Sequence, residues 1–144
     1  RLAGPLVCML ADVDFFKHVN DQYGHQVGDR VLRQIASILG QDLRGSDVLA
    51  RYGGEEFVLL LPGTTQAQGA AIAERLRSNV EHSAFIIPEG IDLDVTVSIG
   101  LVCLEPGVDT YGPDPAVWLF QQVDAALYEA KQTGRNRVVH AQPQ

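Results

Sequence analysis

Residues 50–60 read ARYGGEEFVLL, and this stretch decides the fold. The runs DVLARY and EFVLLLP favour β structure, and a two-residue Gly53-Gly54 link suits the hairpin turns that need positive φ. Glu55 and Glu56 follow at once. Neighbours in a strand point to opposite faces, so at most one of the two acids can face a core. A buried carboxylate needs a partner or a cation. Taken alone the segment reads as a solvated hairpin, and what two acids do at the mouth of a turn depends on the rest of the chain.

Upstream, LVCMLAD (residues 6–12) is a continuous apolar run ending in an acid, as in a strand buried on both faces. The polar, glycine-punctuated VDFFKHVNDQYGHQVGD follows, then an amphipathic helix with Val31, Leu32, Ile35, Ile38 and Leu39 on one face. Downstream, TTQAQGAAIAERLRSNV is a second helix, with Ile72, Leu76 and Val80 at four-residue spacing and Thr64 or Thr65 as its cap. DLDVTVSIGLVCL alternates as one strand, Leu93 to Cys103 facing one way and Asp94, Thr96 and Ser98 the other. EPGVDTYGP is a loop, and Asp114-Pro115 opens a third helix that carries Phe120, Val123, Leu127 and Ala130 and stops at Gly134. Trp118 belongs to a core or an interface, and NRVVHA is a last short strand.

The order β-α-β-β-α-β-α-β begins with the split βαβ pattern. It predicts an α+β, ferredoxin-like fold with a central, mainly antiparallel sheet flanked by helices. In that topology the first strand and the hairpin strands are central neighbours. Asp12 then lies beside the Gly-Gly turn with Glu55.

The 144 residues fit one domain, 1–144, with 46% apolar residues. No apolar run approaches the roughly 20 residues of a membrane span, and no signal-peptide pattern opens the chain. The abrupt start into a strand predicts a domain excised from a longer regulated protein whose upstream part is missing. The expectation is a cytoplasmic domain without membrane contact of its own, whatever anchors the parent. A net charge of -7 argues against nucleic acid. It leaves room for a small phosphorylated ligand if a metal ion and a few placed cations supply the positive field. Cys8 and Cys103 lie in apolar runs without ligand spacing and read as buried free thiols. Asp12, Glu55 and Glu56 are hard oxygen ligands of the kind Mg²⁺ selects. Asp12 and Asp14 read equally as acids capping a turn at a strand end.

Three stretches in order, DVDFFKHVNDQYGHQVGD, RYGGEEF and ALYEAKQTGRN, resemble the GGDEF-domain family of diguanylate cyclases, from about Leu6 to His140. The resemblance implies a nucleotide-cyclase or palm-type core and the conversion of two GTP into cyclic di-GMP and two pyrophosphates. It implies Mg²⁺, with Mn²⁺ as the alternative, held by Asp12, Glu55 and the Val13 carbonyl, and Glu56 at a second metal. Glu55 would also be the base toward the attacking 3′-hydroxyl. Asn20 and Asp29 would read the guanine edge, because a carboxylate accepts from N1–H and the amino group that adenine does not present. Backbone N–H groups of Phe15, Phe16 and Lys17 would meet the terminal phosphates, and Lys17, Lys131 and Arg135 would hold the charge of the leaving pyrophosphate. Without the other motifs, Lys131 and Arg135 read as cations favourable to a helix C-terminus.

One domain holds one GTP and two bonds must form, so the resemblance implies a homodimer. RGSD, with Arg44 and Asp47, is separated from the Gly-Gly pair by five residues and matches the family's RxxD site for inhibition by cyclic di-GMP. A second arginine from a neighbouring helix belongs to that site: Arg75, with Arg77 as the alternative. The family's upstream D-x-L-T-G-L-x-N-R segment is absent, which bears on the activity of the fragment. The rival reading is a GGDEF domain that is catalytically weak and serves as a receptor for GTP or cyclic di-GMP. An interaction scaffold is a third, against which Asn20 and Asp29 speak.

Overall fold

The first strand, β1 (Leu6–Val13), is buried along its length because both of its faces are apolar. The computed structural model describes residues 3–87, 90–107 and 111–141. The elements after β1 are α1 (Phe16–Tyr23), α2 (His25–Gly40), β2 (Val48–Arg51), β3 (Glu56–Pro62) and α3 (Gln66–Glu81). They are followed by β4 (Phe85–Ile87), β5 (Ile91–Leu93), β6 (Val97–Leu104), α4 (Pro115–Gln132) and β7 (Val138–His140). Five strands form one sheet in the order β2-β3-β1-β6-β7, antiparallel except for the β6–β7 pair. This is the expected split βαβ arrangement.

The sheet is covered on both faces. Val7, Met9 and Ala11 of β1, with Phe57, Leu59 and Ile99, pack against Val31, Ile35 and Leu39 of α2 and Ala73, Leu76 and Val80 of α3. Cys8 and Leu10, with Val58 and Val102, pack against Leu119, Val123 and Leu127 of α4. Each fully buried large aliphatic side chain contributes about 1.5–3 kcal/mol over leaving it in water, which is why β1 and β6 show no polar face. The two thiols are buried and free, and burial pushes each up to about 12.

The starts of α3 and α4 follow their capping residues. Thr65 caps α3 in a reciprocal box with Gln68, and Asp114 accepts from the N–H groups of Ala116 and Val117 with Pro115 behind it. Trp118 is half-buried against the Tyr111 ring, 4.3 Å between centroids. At Gly100 of β6 the sheet carries α4 directly. A Cβ built there would lie 2.5 Å from the Leu127 nitrogen and 2.6 Å from the Val123 carbonyl oxygen.

Several expectations are corrected. The hairpin link is not a two-residue primed turn: residues 52–55 separate β2 from β3, and neither Gly53 nor Gly54 has positive φ. Glu55 therefore precedes the strand instead of alternating with Glu56 inside it. Of the two hairpin strands only β3 borders β1, and β2 is the exposed sheet edge. The polar segment after β1 contains α1, whose Phe16 and Val19 are buried despite the acid and amide residues around them. The alternating run at 92–104 is broken into β5 and β6 by residues 94–96, and β5 pairs with β4 in a separate two-stranded sheet. Residues 1–2 of the abrupt start and residues 108–110 of the expected loop lie outside the described residues. Among the described residues no helix is long and apolar enough to cross a membrane.

Candidate active site

Topology brings the acids together. Asp12, at the end of β1, is the register partner of Glu56 on β3, and the Val13 N–H donates to the Glu55 carbonyl at 3.1 Å. Even-numbered residues of β1 and β3 face α4, so Asp12 meets Lys131 from that helix's last turn in an ion pair. Burial pushes the Asp12 carboxyl up, and Lys131 opposes the shift. Glu55 and Glu56 are pushed up by burial first and then by the Asp12 charge. Three carboxylates thus crowd one ammonium. Ionising all of them leaves the site short of positive charge.

Those donors suit a hard divalent cation. All are oxygens, and their mutual repulsion is what such an ion would relieve. No three Asp, Glu, His or Cys side chains among the described residues form a ready-made cage. Mg²⁺ does not require one, since it commonly takes one or two carboxylates and completes its shell with water and substrate phosphates. Beside the acids lies a cavity of about 400 Å³ lined by Asp12, Val13, Phe15, Phe16, Lys17, Glu55, Lys131 and Arg135, among others. Lys17 is exposed and pairs with Asp21 at 3.0 Å.

Two loops with left-handed backbone frame this cavity. Phe15 has φ 55, and Arg135 and Asn136 have φ 63 and 46. Such values in non-glycine residues cost energy and persist where surroundings over-determine them. Asp14 is the tie between the loops. Its buried carboxylate accepts from Thr96 Oγ1 (2.7 Å), Ser98 Oγ (2.6 Å) and the Asn136 N–H (3.0 Å). Arg135 approaches the same carboxylate at 3.7 Å and lies over the exposed Phe15 ring, 4.7 Å from its centroid. Nothing in the DVD motif announced this tie, because its donors lie more than 80 residues away.

Two further contacts escaped the sequence reading. Arg51 donates to both glycine carbonyls of the turn, Gly53 at 3.3 Å and Gly54 at 2.5 Å, and so holds the loop that positive φ was expected to hold. Tyr52 stacks on Phe120 of α4, 5.9 Å between centroids.

Asn20 lies on α1, and its Oδ1 is buried without a partner. It packs against Gly28 so closely that a Cβ there would stand 1.9 Å from Oδ1. Asp29, the next residue, is exposed and lines a second groove, of about 410 Å³, with Arg33, Arg51 and Phe57.

Arg44 and Asp47 form a compact unit. The Arg44 guanidinium donates to both Asp47 oxygens (3.4 and 3.2 Å), to the Pro62 carbonyl (2.7 Å) and to Thr64 Oγ1 (3.0 Å). Both residues line a cavity of about 460 Å³ whose far wall is α3, with Ile72, Arg75 and Leu76. Arg75 is half-exposed and only loosely paired with Asp42 at 3.9 Å. Arg77 points elsewhere, its side chain 14% exposed and engaged by Glu74 and Glu81.

The profile of the family described as "Diguanylate cyclase, GGDEF domain" matches residues 2–137. Diguanylate cyclase A of Treponema denticola is 44% identical over 135 residues, covering 92% of this chain. The chain spans only 34% of that relative's length. Among solved structures, the GGDEF domain of DgcB from Caulobacter crescentus, in complex with c-di-GMP, superposes with a TM-score of 0.86 at 34% identity, over 96% of this chain and 78% of that one. The active GGEEF domain of a diguanylate cyclase from Vibrio cholerae gives a TM-score of 0.83 at 31% identity, over 97% and 85%. Fold, acid cluster and family profile coincide over the same residues, and the chain belongs to the GGDEF-domain family of diguanylate cyclases.

Proposed function

We propose that the domain joins two molecules of GTP into cyclic di-GMP with release of two pyrophosphates. The observation that carries this reading is the convergence of Asp12 and Glu55 with Lys131 and Arg135 around one open cavity, with Glu56 beside it as the register partner of Asp12, in a family whose turn acids are both present here. In each half-reaction the 3′-oxygen of one GTP attacks the α-phosphorus of the other. The P–O bond to the pyrophosphate breaks, and Glu55 takes the hydroxyl proton. Burial, and then the Asp12 charge, push the Glu55 carboxyl up, the direction that makes it a stronger base.

Asp12, Glu55, Glu56 and the Val13 carbonyl would hold Mg²⁺, or Mn²⁺ in its place. Bound there, the cation supplies charge neutralisation for the phosphates. Backbone amides of residues 15–17 and the side chains of Lys17, Lys131 and Arg135 bind and orient the triphosphate. Asn20 and Asp29 read the guanine in this reading, and the Asn20 Oδ1 is a buried acceptor that no protein donor satisfies. Because each domain offers one such cavity, two copies face each other in the active species.

The cavity lined by Arg44, Asp47 and Arg75 is the site of product feedback in this reading. Arg75 is free to turn toward a ligand and Arg77 is not, which favours Arg75 as the second arginine. The experiment is direct: incubate the purified protein with GTP and Mg²⁺ and assay cyclic di-GMP and pyrophosphate, with Glu55→Gln as control. Tight GTP or cyclic di-GMP binding without turnover would make the domain a receptor instead.

A further inference from the structure

Arg77 has no part in the site described so far, yet it is among the most heavily engaged charged side chains of the molecule. It lies on α3, far in sequence from the Arg135 loop. Its Nε and Nη2 donate to the two oxygens of Glu74 at 2.8 and 2.6 Å, and its Nη1 donates to Glu81 at 2.9 Å. The same Nη1 also donates to the side-chain oxygen of Asn136 at 2.7 Å. The other end of that amide donates to Glu81 at 2.7 Å, so both ends of the Asn136 side chain are fixed from α3.

Asn136 is the second of the two left-handed residues after α4, and its backbone N–H is bound by Asp14. The loop is therefore gripped on two sides. Asp14 holds the peptide, and the Arg77–Glu81 pair holds the side chain. Arg135, the residue between this grip and the helix, has its own N–H on the Ala130 carbonyl and its guanidinium over Phe15. Its direction follows from the 135–136 backbone. Its guanidinium also approaches Asp14 at 3.7 Å, the same carboxylate that holds the Asn136 N–H, so Arg135 and the gripped loop share one anchor.

We propose that Arg77 is a positioning residue for Arg135, acting through the side chain of Asn136. An arginine suits the task because one planar fork serves three acceptors at once. The inference rests on the phosphate-binding role proposed for Arg135. Arg77 itself touches no substrate.

The test combines a kinetic cycle with a readout that needs no nucleotide. Arg77→Met keeps the aliphatic stem and removes the donors. It is expected to raise KM for GTP about tenfold, with a smaller change in kcat, as does loss of a charge-assisted contact. In an Arg135→Ala background the same substitution is expected to add almost nothing, because its effect passes through Arg135. Independent, multiplying effects of the two substitutions would overturn the proposal. Should Arg77→Met unfold, Asn136→Gly serves: glycine keeps the left-handed backbone at no cost but lacks the amide handle. It is expected to raise KM likewise, and wild-type kinetics in it would overturn the proposal. Amide hydrogen exchange at Asn136 is expected to accelerate in Arg77→Met and not in Arg135→Ala. Unchanged exchange sinks the inference even in a protein that turns over no GTP, whereas an inactive wild type sinks only the proposed function.

Discussion

Lys131 in the last turn of α4 forms an ion pair with Asp12 at the end of β1, 119 residues away in sequence. Asp12 has 4% of its side chain exposed and Lys131 27%, so the pair is sheltered on the acid's side. Lys131→Met leaves a buried carboxylate without its countercharge. The expected loss is about 1–3 kcal/mol in chelator, below the value for a wholly buried pair because Lys131 is partly solvated. Asp12 is already pushed up, so the variant's deficit is largest at alkaline pH and fades as pH falls and Asp12 takes up a proton. Urea unfolding at pH 5 and pH 8 measures it. A deficit independent of pH would mean that the ammonium does not serve Asp12.

Glu55→Gln is expected to abolish cyclic di-GMP formation and to leave the fold intact. The sign of its stability effect follows from the raised carboxyl. Ionising Glu55 is harder in the folded chain than in the unfolded one, so its contribution is most favourable below the ordinary carboxylate range and is lost as pH rises through the folded value. In metal-free buffer the variant's Tm should therefore equal or exceed wild type at pH 8, and the difference should vanish toward pH 4. Near-normal turnover in the folded variant would remove Glu55 from the chemistry.

The proposed reading of the base by Asn20 can be disturbed without touching a polar group. A methyl at Gly28 collides with Asn20 Oδ1 and also meets Phe16 at 3.0 Å. Gly28→Ala is expected to raise KM for GTP about tenfold or more, as Asn20→Ala should, because a guanine donor loses its acceptor. Steady-state kinetics with GTP checks this. Unaltered KM in both variants would make Asn20 a helix residue only.

Arg44→Ala should weaken cyclic di-GMP binding at least tenfold, since one or two charge-assisted hydrogen bonds go, each worth about 1.5–3 kcal/mol. Product inhibition should persist at saturating GTP in the wild type, because the cavity between Arg44 and α3 is separate from the one beside Asp12. Calorimetry on wild type, Arg44→Ala and Arg75→Ala separates the contributions. Equal affinities would reduce RGSD to a surface turn.

The sequence carried the sheet and its covering helices because β1 and β6 are almost wholly apolar, Asp12 and Ser98 apart, and because Thr65 and Asp114 mark helix starts. It carried the acids because a split βαβ order forces the end of the first strand beside the hairpin. What it hid depended on long-range pairing. The helical α1 was masked by its polar composition, since only Phe16 and Val19 of it are buried, with Tyr23 packed at the core's margin. The Gly-Gly turn suggested positive φ, yet Arg51 clasps the two carbonyls instead. Asp14, Asn136 and Arg77 sit on three separate segments, and no spacing rule joins them.

The bare contact at Gly100 makes α4 a lever whose fulcrum is a missing side chain. Lys131 lies one helical turn beyond Leu127, where the helix backbone rests on the strand. A Cβ at position 100 is expected to act as a wedge and to lift the far arm away from Asp12. The lysine's reach to Asp12 is thus set from the middle of the sheet, by a residue that carries no charge. The tolerance of that strand to substitution is a tolerance of the lysine's aim.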